Sequence, residues 1–292
     1  MNRRTFLKRM LGGSAFIVGL SGSTYYYANA IEPFWLHIQR ETIQSDLIPK
    51  AFNDFKIIQF SDTHIGFHYH LAAFKELVQQ INALSPDLIV FTGDLVDDPD
   101  SFNWSNDLTD ALQQLQAPSG KYWVYGNHDH GGYGTDIVKR VMSDAQFTLL
   151  QNEHTVINQQ DESFILAGVD DMILGNPNLM QALQGSNSEN FTVLLAHEPD
   201  FAENVKDSSV HVQLSGHSHG GQIRLPFIGH LYTPIYAKKY IHGTYHFPND
   251  HFSLYVNKGV GTTRMPFRFF CRPEIHVFTL KSGKTQEDSG DM

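Results

Sequence analysis

One cysteine, Cys271, stands among 292 residues. No intramolecular disulfide can therefore form, and an oxidising compartment is neither required nor excluded. The chain has no Gly-x-Ser-x-Gly elbow and no Gly-x-x-x-x-Gly-Lys-Ser/Thr loop, which sets aside a serine nucleophile and a nucleotide-cradling P-loop. Internal repeats, Pro/Ser-rich linkers and low-complexity tracts are absent, apart from a short polar tail over 281–292 that is expected to be disordered. Basic residues are few: 21 Lys and Arg against 31 Asp and Glu leave a net charge of −10, which argues against nucleic acid as a partner. Apolar side chains, by contrast, make up 41%, ample for one domain with a substantial core over 31–280.

The N-terminus carries a separate message. Asn2-Arg3-Arg4-Thr5-Phe6-Leu7-Lys8 holds twin arginines, a moderately apolar stretch runs from Met10 to Leu20, and Ala28-Asn29-Ala30 is a small-x-small site. The pattern resembles a twin-arginine export signal. Residues 1–30 are thus expected to be a signal, with the export machinery as partner, or an uncleaved anchor placing Tyr25-Tyr26-Tyr27 at a membrane interface. The apolar stretch is short for a spanning helix of about 20 residues. An amphipathic first helix of the fold is the weaker reading, because the segment is glycine-rich and lacks a capped period. The expected location is the periplasm or cell envelope.

Short apolar and β-branched runs alternate with helical periodicity. Strands are expected at Lys56–Phe60, Leu88–Thr92, Tyr122–Tyr125, Thr155–Asn158, Phe164–Gly168, Phe191–Ala196, Val210–Ser215, Phe252–Asn257 and Ile275–Leu280, after an extended segment Leu36–Ser45. Helices are expected at Leu71–Leu84, Asp107–Leu115, Thr135–Ser143, Asn178–Leu183 and Asp200–Val205. Periodicity alone says α/β.

Five motifs follow these strands in order: Asp62-Thr63-His64, Gly93-Asp94-Leu95-Val96-Asp97, Gly126-Asn127-His128-Asp129, His197 in Ala196-His197-Glu198, and Gly216-His217-Ser218-His219-Gly220. Any one of them is commonplace in loops. Together they read as a two-metal phosphoesterase site. Two divalent cations about 3.5–4 Å apart need a bridging carboxylate with oxygen and imidazole ligands around it, a set suited to Mn, Fe, Zn or Co, with Mn favoured here. Such a pair acidifies a bridging water so that hydroxide exists at neutral pH, and a nearby acid protonates the leaving group. No protein nucleophile is then needed.

The order of motifs resembles the calcineurin-like metallophosphoesterases, over about residues 54–280 with all five blocks intact. The resemblance implies a four-layer αββα sandwich of two mixed β-sheets flanked by helices. It implies that Asp62, His64 and His219 hold one metal, that Asn127, His197 and His217 hold the other, and that Asp94 bridges them. His128 matches the imidazole beside the leaving group, and Asp129 the acid that orients it. Asp97 is a candidate partner of a ligand. The run from Gly216 to Pro226 and the segment from Asn257 to Pro273 look most like the bacterial exported or membrane-anchored branch called YkuE/YaeI-like.

Charge is segregated. Removing residues 1–30 takes away four basic and no acidic residues, moving the net from −10 to −14, whereas 224–284 hold nine Lys and Arg against Asp250 and Glu274, a local +7. Arg264, Arg268 and Arg272, interleaved with Met265-Pro266-Phe267 and Phe269-Phe270, read either as a phosphate-binding, lipid-facing lip or as a solvated hairpin. Arg224 and Arg264 are the preferred substrate-phosphate residues. His68, His70 and His130 lie near motif positions, and His242 near a tight glycine turn.

The expected reaction is hydrolysis of a phosphodiester or pyrophosphate, on lipid-linked or envelope substrates. The alternatives are a UDP-2,3-diacylglucosamine pyrophosphatase of lipid A synthesis and, from another class, a binding scaffold without turnover. The scaffold is disfavoured because no ligand of the pattern is missing.

Overall fold

The computed structural model describes residues 2–130, 135–247 and 251–283. Helix α1 (Arg3–Tyr26) leads into β1 (His37–Ser45), β2 (Lys56–Phe60), α2 (Leu71–Ala83), β3 (Leu88–Phe91), α3 (Asn106–Gln113), β4 (Lys121–Trp123), α4 (Thr135–Asp144) and β5 (Phe147–Leu149). The second half runs β6 (Glu153–Gln159), β7 (Glu162–Gly168), α5 (Leu179–Ala182), β8 (Thr192–Leu195), α6 (Ala202–Val205) and β9 (Val212–Ser215). It ends with β10 (Arg224–Leu225), β11 (Gly229–His230), β12 (Gly243–His246), β13 (Ser253–Val256) and β14 (Glu274–Ser282).

Two mixed six-stranded sheets form, ordered β1-β14-β2-β3-β4-β5 and β12-β13-β9-β8-β7-β6. Their layering follows from the two-residue period of strand side chains. Ile57, Leu88 and Val90 point between the sheets and meet Leu166, Val193, Leu195 and Leu214 of the second sheet. Their neighbours Ile58, Ile89 and Phe91 point outward onto Phe74, Leu77 and Ile81 of α2 and Leu108 and Leu112 of α3. Ile165, Leu194 and Val256 do the same on the other outer face, against Ala182, Ala202 and Val205. Four layers result, helices outside and two sheets within, as the resemblance implied.

Strands β2, β3 and β4 are mutually parallel, as are β7, β8, β9 and β13. Their carboxyl ends therefore open at one end of the sandwich, and the five motifs follow β2, β3, β4, β8 and β9. This is where open α/β sheets hold ligands.

Several expectations shift. Lys281 and Ser282 belong to β14, which pairs with β1 through Ser45; the rest of the expected tail, 284–292, lies outside the described residues. Strands β5, β10, β11 and β12 were not anticipated: they have two to four residues each and, unlike the equally short buried strands, are mostly half-buried or exposed, so no apolar run marks them. Helix α1 is capped by the Asn2 side chain, which accepts from the Thr5 amide, and its described side chains are all exposed. It is thus no core helix of the sandwich. Among the described residues no helix is long and apolar enough to cross a membrane.

Candidate metal centre

Beside a partly buried group of His64, Asp97 and His128, the motif side chains converge in two buried groups, Asp62 with His64 and His219, and Asp94 with His197 and His217, each with ligand atoms within 4.8 Å of one another. Asp94 lies between them: its Oδ2 is 3.4 Å from His64 Nε2 and 3.3 Å from His197 Nε2. Across the first group His64 Nε2 stands 3.1 Å from His219 Nε2, and across the second His217 Nδ1 stands 3.1 Å from His197 Nε2. Ligand atoms that share one ion at bond lengths of about 2.1 Å sit about that far apart.

The backbone is bent to achieve this. Asp62, His64, Asp94, His217 and His219 all adopt positive φ, between 42° and 66°. Non-glycine residues rarely do so without compensation, and such conformations gather at functional sites. Two glycines let the loops close. A Cβ on Gly126 would collide with the Asp94 carboxylate and amide, and one on Gly261 with the Thr63 carbonyl.

Second contacts orient the rings. His197 Nδ1 meets the Thr92 carbonyl at 2.6 Å, leaving Nε2 for a metal, and His217 Nε2 meets the Ile235 carbonyl at 2.9 Å, leaving Nδ1. His64 Nδ1 faces Asp97 Oδ1 at 3.1 Å. Such partners fix tautomer and ring direction in metal sites. Asn127 Oδ1 is buried with no hydrogen-bond partner, and a cation would satisfy it. This buried oxygen and the clustered imidazole nitrogens fit a pair of divalent ions.

Electrostatics follow from burial and charge. Burial alone would raise Asp94, yet the imidazoles of His197, His128 and His64 hold its carboxyl well below the usual range. Burial pushes Asp62 up. Burial opposes protonation of His64, but its contacts with Asp94 and Asp97 outweigh it and lift the ring to about 9. Burial and the His64 ring press His219 well below the ordinary imidazole range. Carboxylates and imidazoles thus crowd in a small volume where a cation would relieve the repulsion.

His128 is half-buried at the rim, its Nδ1 against the Asp97 carbonyl and 4.0 Å from Asp97 Oδ1. Asp129 does not perform the orienting role expected for it. Its carboxylate accepts from the amides of Asp94, Leu95 and Gly126 instead, so it shapes the loop that carries Asp94. The acid beside His128 is Asp97, whose side chain also accepts from Thr263 Oγ1.

A cavity of about 340 Å³ opens over the centre, lined by Asp94, Asn127, His128, His217 and His219 and walled by Ile223, Leu231, Tyr232, Pro234 and Met265. Arg264 lines it too, its guanidinium 5.1 Å from the Tyr232 ring centroid. Arg224 does not reach in; it donates to the Gly220 carbonyl. The other arginines of the expected lip are structural. Arg268 is fully buried and donates to the carbonyls of Lys258, Gly259, Gly261 and Cys271, and Arg272 caps Trp35 and Leu36 while stacking on Trp35. His130 bonds Asp170 at 2.8 Å, and His68 packs on Phe34. His70 precedes α2 at its N-cap, and His242 is half-buried. Cys271, remote from the motifs in sequence, has its thiol against the carbonyls of His219 and Gly220. Met265 of the wall belongs to the candidate lip read from the sequence, but Leu231 and Tyr232 belong to no motif and gave no signal.

A sandwich of two mixed sheets, with histidine–aspartate groups around Asp62 and Asp94 at the carboxyl ends of its parallel strands, has the form of a metallophosphoesterase. The profile of the calcineurin-like phosphoesterase family matches residues 55–221, and the chain belongs to that family. It is 46% identical over 283 residues, 97% of this chain and 98% of the relative, to the uncharacterized metallophosphoesterase YkuE of Bacillus subtilis. It is 29% identical over 278 residues, 94% and 98% of the two chains, to the phosphodiesterase YaeI of Escherichia coli. A third relative, the UDP-2,3-diacylglucosamine pyrophosphatase LpxG of Chlamydia muridarum, is 27% identical over 314 residues, covering 89% of this chain and 94% of that one. The protein is accordingly a hydrolase of phosphoesters.

Proposed function

We propose that the enzyme is a phosphodiesterase whose substrates carry one apolar substituent, as lipid-linked or envelope diesters do. The carrying observation is the cavity: metal-binding residues form its floor and Leu231, Tyr232, Pro234 and Met265 its wall, so a phosphate and an adjoining apolar group fit side by side.

Asp62, His64 and His219 would hold one divalent ion and Asn127, His197 and His217 the other, with Asp94 between them. Bound there, two such ions, Mn, Fe, Zn or Co, supply an acidified water and neutralise phosphoryl charge. Arg264 offers the phosphate a guanidinium steadied over the Tyr232 ring. The Asp97 carbonyl accepts a hydrogen bond from His128 Nδ1–H, which leaves Nε2 to carry the proton that the departing alkoxide needs. The name of YaeI supports the diester. The twin arginines support export by the twin-arginine machinery to the cell envelope.

A second reading rests on the similarity to LpxG: cleavage of the pyrophosphate of UDP-2,3-diacylglucosamine. One experiment separates the two. The metal-stripped, Mn-reloaded chain is incubated with UDP-2,3-diacylglucosamine and, separately, with bis-p-nitrophenyl phosphate, with Asp94→Asn as control. Release of UMP well above the rate on the artificial diester assigns the lipid A reaction. Cleavage of the artificial diester alone supports the phosphodiesterase, and cleavage of neither contradicts both.

A further inference from the structure

The β10–β11 hairpin ends in Phe227 and Ile228, the first fully exposed and the second 71% exposed. Phe227 also has φ +65°, an unfavourable backbone for a bulky residue. A turn needing only to reverse the chain would place glycine or asparagine there. The hairpin starts at Arg224, five residues after metal ligand His219, and returns through Leu231 and Tyr232, which are cavity wall. Its tip therefore stands at the mouth of the site.

The same mouth seats the N-terminal segment. The hairpin's base is bonded to residue 269 by Arg224 N to Phe269 O and Phe269 N to Gln222 O. Beside it Tyr27 meets Phe269 and Tyr25 meets Phe267, edge to face at 6.3 and 5.3 Å. The Arg268 amide donates to the Ala28 carbonyl, Asn29 Nδ2 to the Pro266 carbonyl, and the Phe270 and Cys271 amides to the buried Glu32 carboxylate. Cleavage after Ala30 would remove Ala28 and Asn29 from this seat. Helix α1 thus leaves the domain from the rim of the active site, with Phe16, Ile17 and Val18 exposed.

We infer that the enzyme works docked on an anionic lipid surface, anchored by a retained α1 and by the Phe227–Ile228 tip beside the cavity. Charge complementarity selects this occupant. Arg3, Arg4, Lys8 and Arg9 begin the helix, no acidic residue lies in it, and no Lys, Arg, Asp or Glu separates Arg9 from Glu32. Arg264 adds a cation at the mouth. One marginal insertion gives only reversible membrane binding, and stable attachment takes two. Since α1 is not long and apolar enough to cross, the hairpin tip is the second contact. The docking does not depend on which diester is cleaved, because it is read by binding alone.

The test is flotation of the full chain with vesicles of phosphatidylcholine alone or mixed with phosphatidylglycerol. The wild type is expected to float with the mixed vesicles and to be released by salt. Phe227→Ser with Ile228→Ser should bind roughly tenfold more weakly, with turnover of bis-p-nitrophenyl phosphate unchanged. Replacing Arg3, Arg4, Lys8 and Arg9 by Gln should abolish the preference for phosphatidylglycerol. Flotation of the tip variant at wild-type strength, or equal binding to both vesicles, overturns the inference. So does a wild type that ignores lipid and forms dimers that the tip variant dissolves, which would make the surface a contact between copies.

Discussion

Asp94 is the residue on which the two halves of the site depend, since one of its oxygens faces an imidazole of each metal group. His128 lies outside both groups of metal ligands around Asp62 and Asp94, so His128→Asn should keep both metals and lose about 10²–10⁴-fold in turnover on substrates with poor leaving groups. Metal analysis beside rates on diesters of graded leaving-group pKa checks this. Asp97 and Asp129 should separate cleanly. Asp97→Asn removes the carboxylate facing His64 and His128 and should cost about 10–100-fold in metal affinity or activity, with a shifted pH–rate profile. Asp129→Ala leaves three amides without their acceptor and should cost about 2–4 kcal/mol of stability, visible in urea melts. The residues that gather around Asp62 and Asp94 were legible because each sits at a fixed place just after a strand. Which acid serves His128 was not legible: the resemblance pointed to its chain neighbour Asp129, whereas Asp97 lies 31 residues earlier and only the folded loops bring it to the ring.

At the scale of elements, the site is a set of loops pressed together after β2, β3, β4, β8 and β9. Gly126 is where two of them touch. Gly126→Ala should displace Asp94 and weaken metal binding at least about tenfold, while the sheets, whose pairing it does not enter, keep their far-ultraviolet circular dichroism. Isothermal titration with Mn reads the loss. The long buried strands and α2 were readable from apolar runs and a 3.6-residue period. The β10–β11 hairpin was not, although it builds the cavity wall. Its strands have two residues each, too short for a two-residue alternation to show in the sequence.

The whole molecule joins its two ends beside the site. Glu274, at the start of β14, is buried between Lys258 Nζ at 2.7 Å and His276 at 3.1 Å. Burial would raise its carboxyl, but His276 and Lys258 prevail and hold it at about 2, below the ordinary 4.5. Because the folded value is depressed, this stabilisation is complete above pH 4.5 and drains away as pH falls through about 2. Its size is roughly 3 kcal/mol. Glu274→Gln should lower the melting temperature at neutral pH and flatten its decline over that acid range. The four-layer sandwich followed from the resemblance rather than from periodicity, which reached only α/β. The seating of residues 27–32 on the 265–272 loop left no sequence signal, because it is made largely by backbone groups and one buried carboxylate.

Metal content measured on active protein tests the two-ion centre most directly. The wild-type chain, purified without chelator and assayed on bis-p-nitrophenyl phosphate, should carry two divalent ions per chain by mass spectrometry, and Asp94→Asn should lose the pair together with the activity. An active wild type holding no more than one tightly bound ion would contradict the account.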